Sequence, residues 1–310
     1  MIQVMRPANY DPKKIKFPVW AQPKIDGVRA FNPEGTLLAR TLKQHKNRHV
    51  TEYYSQKQFI GLDGELAAQG ETHPDLCRIT SSALSRIEGQ PYTQWHLFDW
   101  LTPNTIHLPY RLRYELLQQR VKIIDDNRLR VVPYTPCDNL EELMTTHEWN
   151  MQSGYEGTCF YGPDVIHKEG KSSPNHNGVL RIKDFVDTEV IVEDIIEGRH
   201  NMNDALVNER GLQYRTSHQD NQVPNGMIGS LTCRALATVT DLYDKKKILI
   251  EKDQIFTVAP GNMTDAEAKL FFEQPQLIVG KISKIKFFPK GIKDAPRFPQ
   301  WQCLRSKEDL

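Results

Sequence analysis

Val19-Trp20-Ala21-Gln22-Pro23-Lys24-Ile25-Asp26-Gly27-Val28-Arg29-Ala30 reads as a strand, a tight turn at Asp26-Gly27 and a second strand. A lysine on the strand end, a glycine turn behind it and an arginine reaching back would set an amine beside a cationic neighbour. Cationic neighbours and partial burial lower a lysine pKa toward neutrality, which an amine nucleophile requires. Lys24 is therefore the candidate nucleophile, suited to in-line attack on the α-phosphate of a nucleotide to give a Lys–N–P phosphoramidate. A surface β-turn with charged flanks would spell the same KxDGxR pattern, so the rest of the chain has to decide.

Four more fragments follow in order. Leu62-Asp63-Gly64-Glu65-Leu66 puts a carboxylate on a strand after another turn, and Leu97-Phe98-Asp99 closes an aromatic, apolar run. Tyr155-Glu156-Gly157-Thr158-Cys159-Phe160 brings a second carboxylate to the start of a buried strand. In Leu180-Arg181-Ile182-Lys183 the alternation sends both cations to one face. Separately these are a core Phe, two turns and a solvated face. Together, in this order and at strand ends, they form a constellation around one amine.

Around them the first half mixes strands with helices. Leu112 to Asp126 carries a helical stripe at Leu112, Leu116, Leu117, Val121 and Ile124. Asp138, with Glu141 as its capping-box partner, is expected to start a further helix whose one face holds Leu140, Leu143, Met144 and Met151. From about Asp187 the texture becomes short alternating runs: Glu189–Ile196, Met227–Arg234, Lys247–Glu251 and Gln276–Phe288. A helix capped by Thr264 and Glu267 precedes the last of these, a pattern that fits a small OB-type barrel. Asn201 to Asn225 is polar, and is expected to be a disordered loop or an element that orders on binding.

Composition limits the alternatives. Apolar residues make up 39% and charged residues 25% of 310, ordinary for a globular protein with room for two cores. No apolar run is long enough for a membrane span and the first residues lack a signal core, so an intracellular, cytoplasmic and unsecreted protein is expected. The five cysteines are scattered and odd in number, which fits reduced thiols rather than a zinc module, and the histidines form no HExxH motif. Net charge is only +1, yet Lys281 to Arg297 holds six basic residues against Asp294, with Phe287 and Phe288 among them. Such a run suits a phosphate backbone, and equally a solvated strand face whose other side is core.

The five fragments, with ARTLK, MIGSL and APRFPQWQCLR, are similar to the collinear motifs of the covalent nucleotidyltransferases, the superfamily of DNA ligases, RNA ligases and mRNA capping enzymes. The chain most resembles the minimal two-domain ATP-dependent DNA ligases of phages and large DNA viruses, from about residue 17 to its end. The resemblance implies an α+β nucleotidyltransferase domain over 1–187, with ATP-grasp-like antiparallel sheets and flanking helices. An all-β OB-fold domain would follow over 188–310, with a DNA-clamping latch inserted at about 201–225. It implies that Lys24 becomes lysyl-AMP, with Asp26 and Arg29 lining the reaction site. Arg40 would hold the ribose or the 5′-phosphate of the nick, Glu65 the ribose hydroxyl, and Phe98 the adenine by stacking. Glu156, with Glu65, would hold magnesium, for which manganese could substitute; Arg181 and Lys183 would contact the α-phosphate, and Arg297 would orient the leaving pyrophosphate. DNA contacts would come from Arg40, Arg210, Arg215, Lys281 and Lys286, the partner being nicked duplex DNA encircled by a monomer.

Two positions depart from the pattern. Arg181 stands where these ligases usually have lysine, and Tyr161 where they often have a basic residue, a contact Lys168 or Lys171 could supply instead. A GTP-dependent capping enzyme and an RNA ligase share most of the motifs, and an inactive OB-fold nucleic-acid binder is the alternative outside catalysis. The C-terminal PRFPQW segment and the latch-like insertion favour a DNA ligase. The 23 residues before Lys24 are too few for a nicotinamide-binding domain, so ATP is expected rather than NAD.

Overall fold

The computed structural model describes residues 2–209 and 211–305. The chain divides into two compact units, Met1–Lys183 and Asp184–Leu310. Among the described residues no helix is long and apolar enough to cross a membrane.

Two sheets build the first unit. The five-stranded sheet runs in the order Ala8–Asn9, Val179–Ile182, Gly157–Tyr161, Val19–Lys24, Thr135–Cys137, with only the Ala8–Asn9 pair parallel. Alternation puts Val19, Ala21, Phe160, Leu180 and Ile182 on one face, where they bury Leu143 of the helix Leu140–Gln152. Each of these side chains larger than alanine contributes about 1.5–3 kcal/mol on leaving water. The same alternation leaves Lys24, Cys159, Arg181 and Lys183 for the opposite face. The four-stranded sheet runs Val28–Phe31, Leu62–Ala67, Gln94–Trp100, Leu129–Val131. Its core face carries Ala30, Leu66, Trp95 and Leu97, packed with Val50, Leu84 and Leu117 from three helices.

The opening stretch does contain two strands, Val19–Lys24 and Val28–Phe31, but they do not pair with each other. They belong to different sheets, and the Asp26-Gly27 turn carries the chain from one to the other. Gly27 is dictated by close approach: a Cβ there would sit 2.4 Å from the Leu66 carbonyl oxygen. The Leu112 stripe forms the helix Tyr110–Ile124. The next helix starts one residue later than expected, because Asn139, not Asp138, accepts from the Glu142 N–H, while Glu142 returns to the Asp138 N–H and the Asn139 amide. Its buried residues are Leu143, His147, Asn150 and Met151; Leu140 and Met144 are exposed, so the apolar face assigned from the sequence is corrected.

In the second unit five antiparallel strands lie in the order Ile255–Val258, Gln222–Ala235, Val186–Asn201, Ile282–Phe288, Arg297–Leu304. A bridge from Ala259 to Gln300 joins the outer strands, so the sheet closes into a barrel. The helix Asp265–Glu273 lies between the third and fourth strands in sequence and starts on the Thr264–Glu267 capping box, as the sequence predicts. This connectivity and closure are those of an OB-fold. The core is Val190, Val192, Leu231, Cys233, Val258, Ile285, Phe287 and Trp301, with Phe271 of the helix.

Three expectations change here. The run Gln276–Phe288 is strand only over Ile282–Phe288, after a short 3-10 turn at Pro275–Leu277. Ile255–Val258 is a barrel strand that the sequence reading missed. The polar segment is not a bare loop: the two long strands stay paired out to Asn201 and Gln222, and Ala205–Val207 pairs with Gln213–Arg215 as an exposed hairpin.

Candidate active site

Lys24 ends its strand opposite Gly157, on the middle strand of the five-stranded sheet, and Ile182 lies opposite Thr158 on the other side. This register brings Lys24 and Lys183 to either side of residue 156. The Glu156 N–H donates to the Lys24 carbonyl at 3.0 Å. Gly157 lets the strands come this close, since a Cβ there would lie 2.3 Å from the Ile182 carbonyl oxygen. The outcome is a bridge: Lys24 Nζ donates to Glu156 Oε2 and Lys183 Nζ donates to Glu156 Oε1.

The charges then set one another. Burial would raise the Glu156 carboxyl, but Lys24 and Lys183 outweigh it and hold Glu156 well below the usual carboxylate range. Burial would lower Lys24, but Glu156, with Cys159 and Glu65, outweighs it and holds the ammonium above the usual lysine range. Lys183 goes the other way, lowered by burial and by Lys24. The sequence expectation of a Lys24 pKa brought toward neutrality is therefore corrected for the resting site. Its immediate partner is an anion, and the expected cation, Arg29, is engaged elsewhere.

Arg29 faces across from the second sheet. Its Nε and Nη2 donate to the two carboxylate oxygens of Asp63 at 2.7 and 2.6 Å. Its guanidinium lies 4.4 Å from the centre of the Phe98 ring. Glu65 stands opposite Arg29 in register, and burial pushes its carboxyl up to about 7 against the pull of Arg29 and Lys24. Asp26 is buried beside these groups in the chain. Arg181 shares the face of Lys183, and its Nε donates to Asn9 Oδ1 at 3.0 Å. Lys24, Lys183, Glu156, Glu65, Arg29 and Phe98 thus come together in the first unit.

Other residues named from the sequence lie elsewhere. Arg40 is exposed in the turn formed by residues 39–43. Arg297 belongs to the second unit, where its side chain packs on Gly291 and on the Phe298 ring. Arg215 donates from the hairpin to the Asn203 carbonyl, Lys281 is exposed, and Lys286 lies over the Phe185 ring at 5.1 Å. Arg210 lies outside the described residues. The strand Ile282–Phe288 has the form of a solvated face backed by core, with Ser283, Ile285 and Phe287 inward and Lys284 and Lys286 outward.

Several site residues were missed. Cys159 sits opposite both Gln22 and Arg181, among Lys24, Glu156 and Lys183, and burial raises its thiol. Asp63 was within reach, two residues before Glu65 and so on the same face, though only Glu65 was singled out. Arg113, fully buried, grips Asp99 at 2.8 and 2.9 Å beside the Asp63 strand. Tyr161, expected to mark a lost basic contact, is buried and stacked on Tyr110 with centroids 4.0 Å apart.

No protein-family model matches the sequence, and no curated protein matches it. Solved structures do match. The chain aligns with the structure titled Chlorella virus DNA ligase-adenylate at a TM-score of 0.52 and 20% identity, covering 98% of this chain and 100% of that one. It aligns with a structure from the Lig E DNA ligases at a TM-score of 0.69 and 18% identity, again over 98% and 100%. What is shared at these identities is the fold, an α+β unit followed by an OB barrel.

Proposed function

We propose that this chain is an ATP-dependent DNA ligase that seals 5′-phosphate/3′-hydroxyl nicks in duplex DNA. The observation carrying the proposal is the Lys24–Glu156–Lys183 bridge at the ends of three adjoining strands, faced by Glu65, Arg29 and Phe98. The fold shared with DNA ligases supports it.

In this reading Lys24 Nζ attacks the α-phosphorus of ATP and pyrophosphate leaves. AMP then passes to the 5′-phosphate at the nick, and the 3′-hydroxyl displaces AMP as the backbone closes. Phosphoryl transfer asks mainly for positioning and for cations around spread negative charge. Lys183 and Arg181 supply those cations at the α-phosphate, Glu65 holds the ribose, and Phe98 stacks on adenine. The Arg29 guanidinium over that ring marks a face that accepts a flat group. Arg297 orients the pyrophosphate, while Arg40, Arg215, Lys281 and Lys286 hold the DNA backbone of a duplex that a single copy of the chain encircles.

Lys24 has to lose a proton before it attacks. Two opposed influences act on it: burial, which favours the neutral amine, and Glu156, which favours the ammonium. Once nucleotide occupies the site and Glu156 is drawn from Lys24, burial is left as the dominant influence and the amine is released.

Among the described residues no group of three His, Cys, Asp or Glu side chains is placed to cage a metal. Glu65 and Glu156 are two hard oxygen donors, which suits magnesium, an ion that keeps waters and phosphate oxygens as its other ligands. Bound there, it would neutralise phosphate charge.

The test is sealing of a labelled nicked duplex with magnesium and ATP, beside GTP and NAD. Sealing and a protein–AMP adduct with ATP, both lost in Lys24→Ala, are expected. Label from GTP alone would favour a capping enzyme, sealing of RNA alone an RNA ligase, and no adduct with any nucleotide an inactive binder.

A further inference from the structure

Glu156 is delivered by a short loop. The helix before it ends at Gln152, the Tyr155 N–H returns to the Asn150 carbonyl at 3.0 Å, and the Glu156 N–H pairs with Lys24. Between these backbone ties stands the Tyr155 ring, packed beside Phe98 on a small cluster of Ile25, Ala67, Leu76 and Val132. Its hydroxyl donates to Glu71 Oε1, and the other oxygen of Glu71 lies 3.1 Å from His96 Nδ1.

His96 is buried in the strand Gln94–Trp100, directly opposite Glu65. Its second ring nitrogen is buried without a hydrogen-bond partner, so Glu71 is its polar tie. The proposed reaction gives none of these three residues a task. They nevertheless form a continuous chain of contacts from the four-stranded sheet, which carries Glu65, to the loop that carries Glu156.

We propose that Glu71 and His96 are positioning residues that act through Tyr155 to hold the Glu156 carboxylate between Lys24 and Lys183. The proposal rests on the ligase reading for its consequence in catalysis, but its geometry and its test do not. Glu71 is kept ionised first by the His96 hydrogen bond and also by Tyr155, against partial burial, with Arg130 as a further cation. An ionised Glu71 is the better acceptor for both donors, so the anchor is strongest with that charge present. If the anchor is cut, the loop keeps the packing of the Tyr155 ring but loses its polar tie to the second sheet, and Glu156 samples positions away from Lys24. Lys24 is faced by Glu156 from the loop, Glu65 from the second sheet, Cys159 from the middle strand and Lys183 from its neighbour. Of these, Glu156 is the one that the anchor moves.

The test reads the position of the loop, in the full chain. Hydrogen–deuterium exchange with mass spectrometry follows the Tyr155 and Glu156 amides, which are tied to the Asn150 and Lys24 carbonyls. In Tyr155→Phe and in Glu71→Gln these amides should exchange about tenfold faster than in the parent, and AMP attachment should slow with the half-saturating ATP concentration unchanged. The double variant should match the singles, since both cut one chain of contacts. Circular dichroism and melting temperature check folding, and Tyr155→Phe keeps the ring should the Glu71 change disturb packing. Parent-like exchange of the loop in a folded Tyr155→Phe protein would overturn the inference. A parent chain that forms no AMP adduct would instead overturn the ligase reading, leaving the exchange result to stand alone.

Discussion

At the scale of single residues, the site is governed by opposed influences of similar size. Lys24 and Glu156 are 132 positions apart in the chain. The spacing of Lys24, Asp26, Gly27 and Arg29 identifies the amine, but only the register of three strands shows that an anion, not a cation, is its nearest charge. This is why the amine at the centre of the charge cluster was legible and the direction of its pKa was not. His45 shows the same competition without a counter-charge. Burial pushes its imidazole from 6.5 down to about 4, against a backbone hydrogen bond to Arg29. Below the ordinary value the unfolded chain takes up a proton that the folded one refuses. Stability should therefore fall as pH drops from 6.5 to about 4, by about 3 kcal/mol from this residue. His45→Gln should flatten that part of the profile, and thermal melts of both proteins at the two ends of the window measure it. An equal pH dependence in the variant would show that other groups carry the acid sensitivity.

At the scale of elements, close strand spacing is what makes the site. Gly157→Ala would force the middle strand away from the Ile182 carbonyl and should cost about 3 kcal/mol. The same variant should lose AMP attachment in the protein that remains folded, since Lys24 and Lys183 would no longer share Glu156; gel-resolved adduct formation at low temperature checks this. The exposed hairpin with Leu206, Leu212, Tyr214 and Arg215 makes the opposite prediction. Deleting residues 203–222 should leave AMP attachment intact and weaken binding to nicked duplex about tenfold or more, measured by gel-shift titration. Elements with a strong local signal were legible: the Thr264–Glu267 capping box marked its helix to the residue. Weak or duplicated signals were not. Asp138 and Asn139 are both good caps, and the contacts of Glu142 decide between them. Ile255–Val258 is four residues long with two exposed side chains, too little alternation to stand out before the barrel is assembled.

At the scale of the whole molecule, a net charge of +1 means that the nucleic-acid affinity proposed above has to come from arrangement rather than from total charge. With about four basic side chains on the backbone, raising salt from about 50 to 200 mM should weaken binding to nicked duplex about a hundredfold. Lys286→Ala should lower the slope of log affinity against log salt by about one, and an unchanged slope would remove that residue from the interface. The division into an α+β half and a barrel half was legible because the period of apolar residues shortens near Asp187. The separation of the first half into two facing sheets was not, because the Asp26-Gly27 turn reads locally like a hairpin. A primary amine in a cell meets aldehydes, acyl phosphates and reducing sugars throughout its life, and each reacts with the unprotonated form. The carboxylate shared by Lys24 and Lys183 keeps the first of these capped by a proton until a substrate arrives. In the ligase reading proposed above, the contact that delays Lys24 as a nucleophile would also shield it from these reagents.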